Sequence, residues 1–279
     1  MRAEQVTGPV AHHAEGPVWS AAWGGLRWVD MLAGDVLSLG EDGSVGRLHV
    51  GTVAAVVRPR RRGGAVIAVE RGFALEEPDG SLTTLDPVWT DPAIRMNEGG
   101  CDPDGRLYCG SMAYDQKQGA ATLYRLDPDR SVQRILEGVT VSNGLEWSPD
   151  GSLAYYDDTD THRTDVFDYA ADTGLTGRRP FIRFAEDEQP DGLTVDAEGG
   201  VWVALFGGSA VRRYTPAGRL DAVIELPTPQ VTACTFGGPE LDQLFITTSA
   251  DNRAGDPVAG SLFRADVGVR GQPVREFAG

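Results

Sequence analysis

The stretch Gln189-Pro-Asp-Gly-Leu-Thr-Val-Asp-Ala-Glu-Gly-Gly-Val-Trp-Val-Ala-Leu-Phe206 spells out a hairpin. Leu193 to Val195 reads as a short strand, Glu198-Gly199 as a tight turn, and Val201 to Phe206 as a longer buried strand. Both runs are β-branched or aromatic, and the turn between them is polar with glycine, the local chemistry of two antiparallel strands. Asp191 stands at the mouth of the first strand.

The same unit recurs. A turn glycine followed by an apolar strand appears at Gly25, Gly64, Gly105, Gly151 and Gly199, and a sixth turn near Asp242 lacks the glycine. The spacings are 39, 41, 46, 48 and about 43 residues. Each copy continues into a third strand, as at Asp35 to Leu39, Ala121 to Leu126 and Ala210 to Tyr214. A second polar turn then leads to a weaker fourth strand, such as Ser131 to Leu136, Leu220 to Leu226 and Pro273 to Phe277. Four short antiparallel strands repeated six times predict an all-β, six-bladed β-propeller. One blade cannot bury both of its faces, so the blades stack into a closed circle and residues 1–279 form one domain. The segment Ala113 to Ala120 reads as a long loop, with Asp251 to Val258 as its counterpart in the last copy.

Composition agrees with that architecture. Thirty-six glycines, 17 prolines and few segments of helical period favour many strands and turns. A formal charge of −16 argues against nucleic acid or an anionic membrane as partner. The one basic cluster, Arg58 with Arg60 to Arg62 beside Gly63-Gly64, reads as a solvated turn. Three cysteines cannot build a disulfide framework and suit a reducing compartment, with Cys101 and Cys109 out of register for pairing. Met1 to Gln5 has no apolar core of a signal peptide, and no apolar run approaches the roughly 18 residues that span a bilayer. A cytoplasmic protein follows, or one whose targeting segment was removed.

The innermost strand of each blade lines the central channel. Counting eight residues back from the turn glycine reaches Asn97, Asn143 and Asp191, and the matching element of the first copy is Glu15. Copies two and six place Val56 and roughly Cys234 at the same phase. Two carboxylates and two carboxamides make a hard oxygen site for one divalent cation, Ca²⁺ before Mn²⁺ or Mg²⁺, with Zn²⁺ less suited. Each of these residues taken alone is also an ordinary turn former; four at one phase favour the cation.

Glu15-Gly-Pro-Val-Trp, Arg95-Met-Asn97-Glu-Gly, Ser142-Asn143-Gly-Leu-Glu-Trp-Ser and Pro190-Asp191-Gly-Leu-Thr-Val-Asp resemble the signature segments of the SMP-30/gluconolactonase/LRE (regucalcin-like) family. Asp102-Pro-Asp-Gly-Arg-Leu-Tyr-Cys-Gly-Ser-Met112 and Tyr155-Tyr-Asp-Asp158-Thr fit as well, so the resemblance spans nearly the whole chain. It implies a cation held by Glu15, Asn143 and Asp191, with Asp191 in the acid/base role. It also implies that Asn97 contacts substrate directly or through water, and that Arg95 contacts substrate. Two departures stand out. Glu98 replaces the aspartate usual at its position and joins the expected substrate contacts, and Ala113 to Ala120 lacks a clear match to the substrate loop of sugar lactonases. Met112, Tyr114 and Asp158 are candidate rim contacts.

The chemistry expected is the opening of a small lactone by water. A cation polarises the carbonyl, and Asp191 serves as ligand and proton acceptor together. No Gly-x-Ser-x-Gly elbow, His-Glu-x-x-His or Gly-x-Gly-x-x-Gly competes. His12 and His13 precede Glu15 and read as structural or surface residues, or as residues at the channel mouth. Two alternatives stay open: an esterase or phosphotriesterase on the same scaffold, or a non-catalytic propeller whose central ion is structural.

Overall fold

A computed structural model describes residues 1–279 and contains six four-stranded antiparallel sheets. Five run in chain order from the channel outward. The first comprises Ala14–Ser20, Gly25–Asp30, Asp35–Leu39 and Val45–His49, and the fifth Gln189–Val195, Val201–Phe206, Ala210–Tyr214 and Leu220–Glu225. The predicted hairpin is present at the expected turn, with Gly199 at φ +82° in the left-handed region that glycine occupies without strain. Asp196 fixes that turn: one carboxylate oxygen accepts from the Glu198 and Gly200 amides, the other from Trp202 Nε1 and Arg213 Nε.

The sixth sheet corrects one expectation. Pro273 to Phe277 is not its fourth strand; Glu4–Gln5 from the opposite end of the chain pairs with Phe263 and Arg264. The two ends of the chain thereby share one sheet, and the circle closes by backbone hydrogen bonds instead of by packing alone. The tail instead crosses beneath the channel. Phe277 bridges Arg60 and is fully buried, the Ala278 amide donates to Gly105, and Arg275 donates to the Ser148 carbonyl.

That tail also corrects the reading of the basic cluster. Arg60 is 4% exposed, donating to the Gly279 and Glu76 carbonyls, and Arg58 faces the channel; only Arg61 and Arg62 sit in solvent. The three cysteines are free, as expected of Cys101 and Cys109, and all three are buried.

The core lies between blades. Separate apolar clusters fill the gaps between neighbouring sheets, and Trp28, Trp147 and Trp202 are fully enclosed in three of them. Trp19 is only partly buried and packs at the edge of the cluster shared by blades six and one. No helix of the structure is long and apolar enough to cross a membrane.

Every innermost strand carries a β-bulge at the same depth. In blades three, four and five, the pairs Asn97–Glu98, Asn143–Gly144 and Asp191–Gly192 each oppose a single residue of the second strand. The ladder breaks there, and the extra residue turns a side chain toward the axis. A β-carbon on Gly144 would lie 2.5 Å from the Leu193 nitrogen, and one on Gly192 2.4 Å from the Ala233 β-carbon. Glycine therefore lets the next blade approach directly behind the oxygen donor.

Candidate metal and substrate site

The bulges deliver Asn97, Asn143 and Asp191, and Glu15 from just before the bulge at Gly16-Pro17, to one pocket of about 120 Å³ at the channel mouth. All four are at most 5% exposed. Arg95 and Met112, expected from the sequence, line the same pocket.

A directed chain of hydrogen bonds fixes the amides. Arg95 Nη1 donates to Asn97 Oδ1 at 2.7 Å, and Asn97 Nδ2 donates to the Ser142 carbonyl at 2.7 Å and to Asn143 Oδ1 at 3.2 Å. Asn143 Nδ2 donates to Thr159 Oγ1 at 2.7 Å, whose hydroxyl donates to the Pro190 carbonyl at 2.8 Å. Asn143 is thus turned with its oxygen inward. Asn97 is not: its oxygen is occupied by Arg95. Of the four donors expected at this phase, Glu15, Asn143 and Asp191 offer oxygen to the centre, and Asn97 spends its oxygen on Arg95 and its N–H groups on Ser142 and Asn143.

The carboxylates crowd together. One ligand oxygen each from Glu15, Glu98 and Asp191 lies within 4.8 Å of the others. Burial, then the Glu98 charge, pushes Glu15 well above the ordinary carboxylate range, and burial, then Glu15 and Glu98, does the same to Asp191. Burial alone raises Glu98 to about 7. Three acids this close, deep and unpaired are what a cation site looks like before its charge arrives. An all-oxygen donor set with a buried orphan oxygen, Glu98 Oε2, fits a hard divalent ion.

Arg95 is 7% exposed and hydrogen-bonds only neutral groups: the Met96 carbonyl, Asn97 and the Met31 sulfur, all through Nη1. Its Nε and Nη2 are left for a ligand. Burial lowers its pKa.

The remaining expectations divide. Glu98 does not share the wall with Arg95 and Asn97; the bulge turns it downward into a second, inner chamber with Arg58, Thr194 and Thr235. Tyr114 is 47% exposed on the rim, donating to Glu70, with its aromatic face 5.8 Å from the Arg95 guanidinium. Asp158 points away from the pocket and accepts from the Thr140 and Val141 amides.

Six further residues line the pocket: His13, Gln116, Val141, Thr159, Gln189 and Phe206. His13 Nδ1 lies 2.7 Å from Ser249 Oγ and its Nε2 3.8 Å from Glu15. Burial, then Arg95, lowers its pKa to about 4, so it is neutral at physiological pH. Its partner Ser249 comes from the sixth blade, 236 residues away, which no local pattern announces.

Residues 13–250 match the sequence profile of the SMP-30/Gluconolactonase/LRE-like region. Regucalcin of Danio rerio is 36% identical over 278 residues, covering 95% of this chain and 94% of that protein. The putative sugar lactone lactonase YvrE of Bacillus subtilis is 34% identical over 276 residues, covering 95% and 94%. A solved structure from Agrobacterium tumefaciens, described as the calcium-binding protein regucalcin, superposes with a TM-score of 0.90 at 27% identity, covering 99% and 96%.

Proposed function

The chain belongs to the SMP-30/gluconolactonase/LRE-like family, and from that premise we propose that it is a divalent-cation-dependent lactonase. Its substrate in this reading is a small sugar lactone, an aldonolactone of the gluconolactone kind, opened by water to the hydroxy acid. The observation that carries the proposal is the meeting of Glu15, Asn143 and Asp191 from three separate blades beside a buried guanidinium with free donors. A relative named as a putative sugar lactone lactonase and another described as calcium-binding are in keeping with it.

Glu15, Asn143 and Asp191 would hold the ion, Ca²⁺ as first candidate with Mn²⁺, Mg²⁺ or Zn²⁺ as alternatives. When bound, it supplies the Lewis acidity that polarises the lactone carbonyl and offsets the charge developing on its oxygen. Arg95 holds a substrate oxygen through Nε and Nη2 and so orients the lactone before attack. Asp191 accepts a proton from the attacking water, an effect worth about 10²–10⁴-fold. The water oxygen bonds to the carbonyl carbon, the endocyclic carbon–oxygen bond breaks, and the departing alkoxide takes up the proton. Neutral His13 stays beside Glu15 without adding a charge.

The test is a pH-stat assay on a panel of aldonolactones, aliphatic lactones and an organophosphate. Metal-stripped protein is titrated with Ca²⁺, Mn²⁺ and Zn²⁺. The expected result is acid release from aldonolactones only after the ion is added, with Asp191→Asn folded and slower by orders of magnitude. Equal rates from stripped and loaded protein, or no turnover of any lactone, would contradict it.

A further inference from the structure

We propose that Glu98 is a fourth protein ligand of the axial cation, reaching it from the inner chamber beneath Glu15, Asn143 and Asp191. This rests on the cation site of the preceding section and assigns it a donor that does not belong to the substrate wall.

The placement comes from the bulge. Asn97 and Glu98 together oppose one residue of the neighbouring strand, so the first faces the outer pocket and the second faces down the channel. Blades four and five carry Gly144 and Gly192 at this second bulge position, where the following blade leaves no room for a side chain. Blade three alone of these carries a long acid there.

That acid has no other occupation. It is 4% exposed, and its Oε2 has no hydrogen-bond partner. Arg58, the nearest guanidinium in the chamber, donates to the Val57 and Gly99 carbonyls instead. A buried carboxylate without a partner is costly, and two further carboxylates within 4.8 Å add to that cost. One cation bound by all three removes both penalties.

Charge gives an independent reason. Glu15, Asp191 and Glu98 together balance a divalent ion plus Arg95. Without Glu98, the loaded pocket would hold a buried net positive charge. With it the three carboxylates equal the charges of the ion and Arg95, leaving Arg58 of the inner chamber as the one further cation.

The experiment reads ion binding, not turnover. Ca²⁺ calorimetry and Tb³⁺ luminescence are measured on metal-stripped wild type, Glu98→Gln, Glu98→Ala and Asp191→Asn, each checked for folding by circular dichroism. Both Glu98 variants are expected to bind Ca²⁺ at least about tenfold more weakly. Tb³⁺ lifetimes in H₂O and D₂O are expected to show about one extra bound water in Glu98→Ala, because water completes the shell a ligand vacates. Stripped Glu98→Gln should unfold at no lower temperature than stripped wild type, since the change removes repulsion; a merely structural role would lower it. Wild-type Ca²⁺ affinity and unchanged Tb³⁺ hydration in Glu98→Ala would overturn the assignment. If Asp191→Asn also bound Ca²⁺ like wild type, the axial site itself would fall with it. Loss in Asp191→Asn without loss in Glu98→Ala would overturn only the role of Glu98.

Discussion

Asn97 on blade three donates its amide to the side-chain oxygen of Asn143 on blade four, across 3.2 Å and 46 residues of sequence. This contact decides which end of each carboxamide faces the axis. Arg95 holds the oxygen of Asn97, and Thr159 holds the nitrogen of Asn143.

Thr159→Val keeps the shape of the side chain and removes the acceptor that fixes Asn143. Its amide is then free to turn, and the ion loses an oriented oxygen. Calorimetry should show Ca²⁺ affinity reduced about 10–100-fold. The accompanying loss of stability should be about 1 kcal/mol, the size of one hydrogen bond.

Arg95→Met separates substrate from ion. The guanidinium lies within electrostatic reach of Glu15 and Asp191, so removing it leaves the carboxylates more attractive to a cation. Ca²⁺ should bind as tightly as before or more tightly, while kcat/KM falls on the order of 10²-fold because the lactone is no longer held in line for attack. A parallel loss of ion affinity would place Arg95 in the cation site instead.

Asp157, opposite the Asn143–Gly144 bulge, gives a pH signature in stability. It is fully buried, neither carboxyl oxygen has a hydrogen-bond partner, and Thr164 stands opposite it on the neighbouring strand. Burial raises its pKa well above 3.8. The native state therefore keeps a proton that the unfolded chain releases, so stability is full below the unfolded value and falls as pH rises toward the folded one. The limiting slope is about 1.36 kcal/mol per pH unit. Asp157→Asn cannot ionise. Its stability relative to wild type, measured by urea unfolding, should increase between pH 4.5 and 7; parallel curves would contradict this.

The architecture was legible because its signals are local and repeated. A turn glycine and a β-branched strand recur every 39 to 48 residues, and Glu15, Asn97, Asn143 and Asp191 share one phase of that repeat. What stayed hidden depends on contacts between distant segments. Glu4–Gln5 is two residues long, too short for alternation to show, yet it completes the last sheet. Pro273 to Phe277 stands where the repeat calls for a fourth strand, but the sheet it would join is already filled from the other terminus. The bulges were equally invisible. Strict alternation would put neighbouring residues on opposite faces of the sheet; the doubled positions instead send Asn97 up the channel and Glu98 down it.

The tail also predicts a stability effect. Phe277 is fully buried within the largest apolar cluster, against residues of the first three blades. Phe277→Ala should cost about 3–5 kcal/mol, read as a lowered urea midpoint at unchanged slope. A cost below about 1 kcal/mol would mean that the tail merely lies on the surface.

Anomalous diffraction from crystals soaked in Mn²⁺ tests the central claim most directly. The account predicts one strong peak on the propeller axis, at coordination distance of about 2.6 Å or less from oxygens of Glu15, Asn143 and Asp191. A peak elsewhere, or none at a concentration that supports hydrolysis, would contradict it.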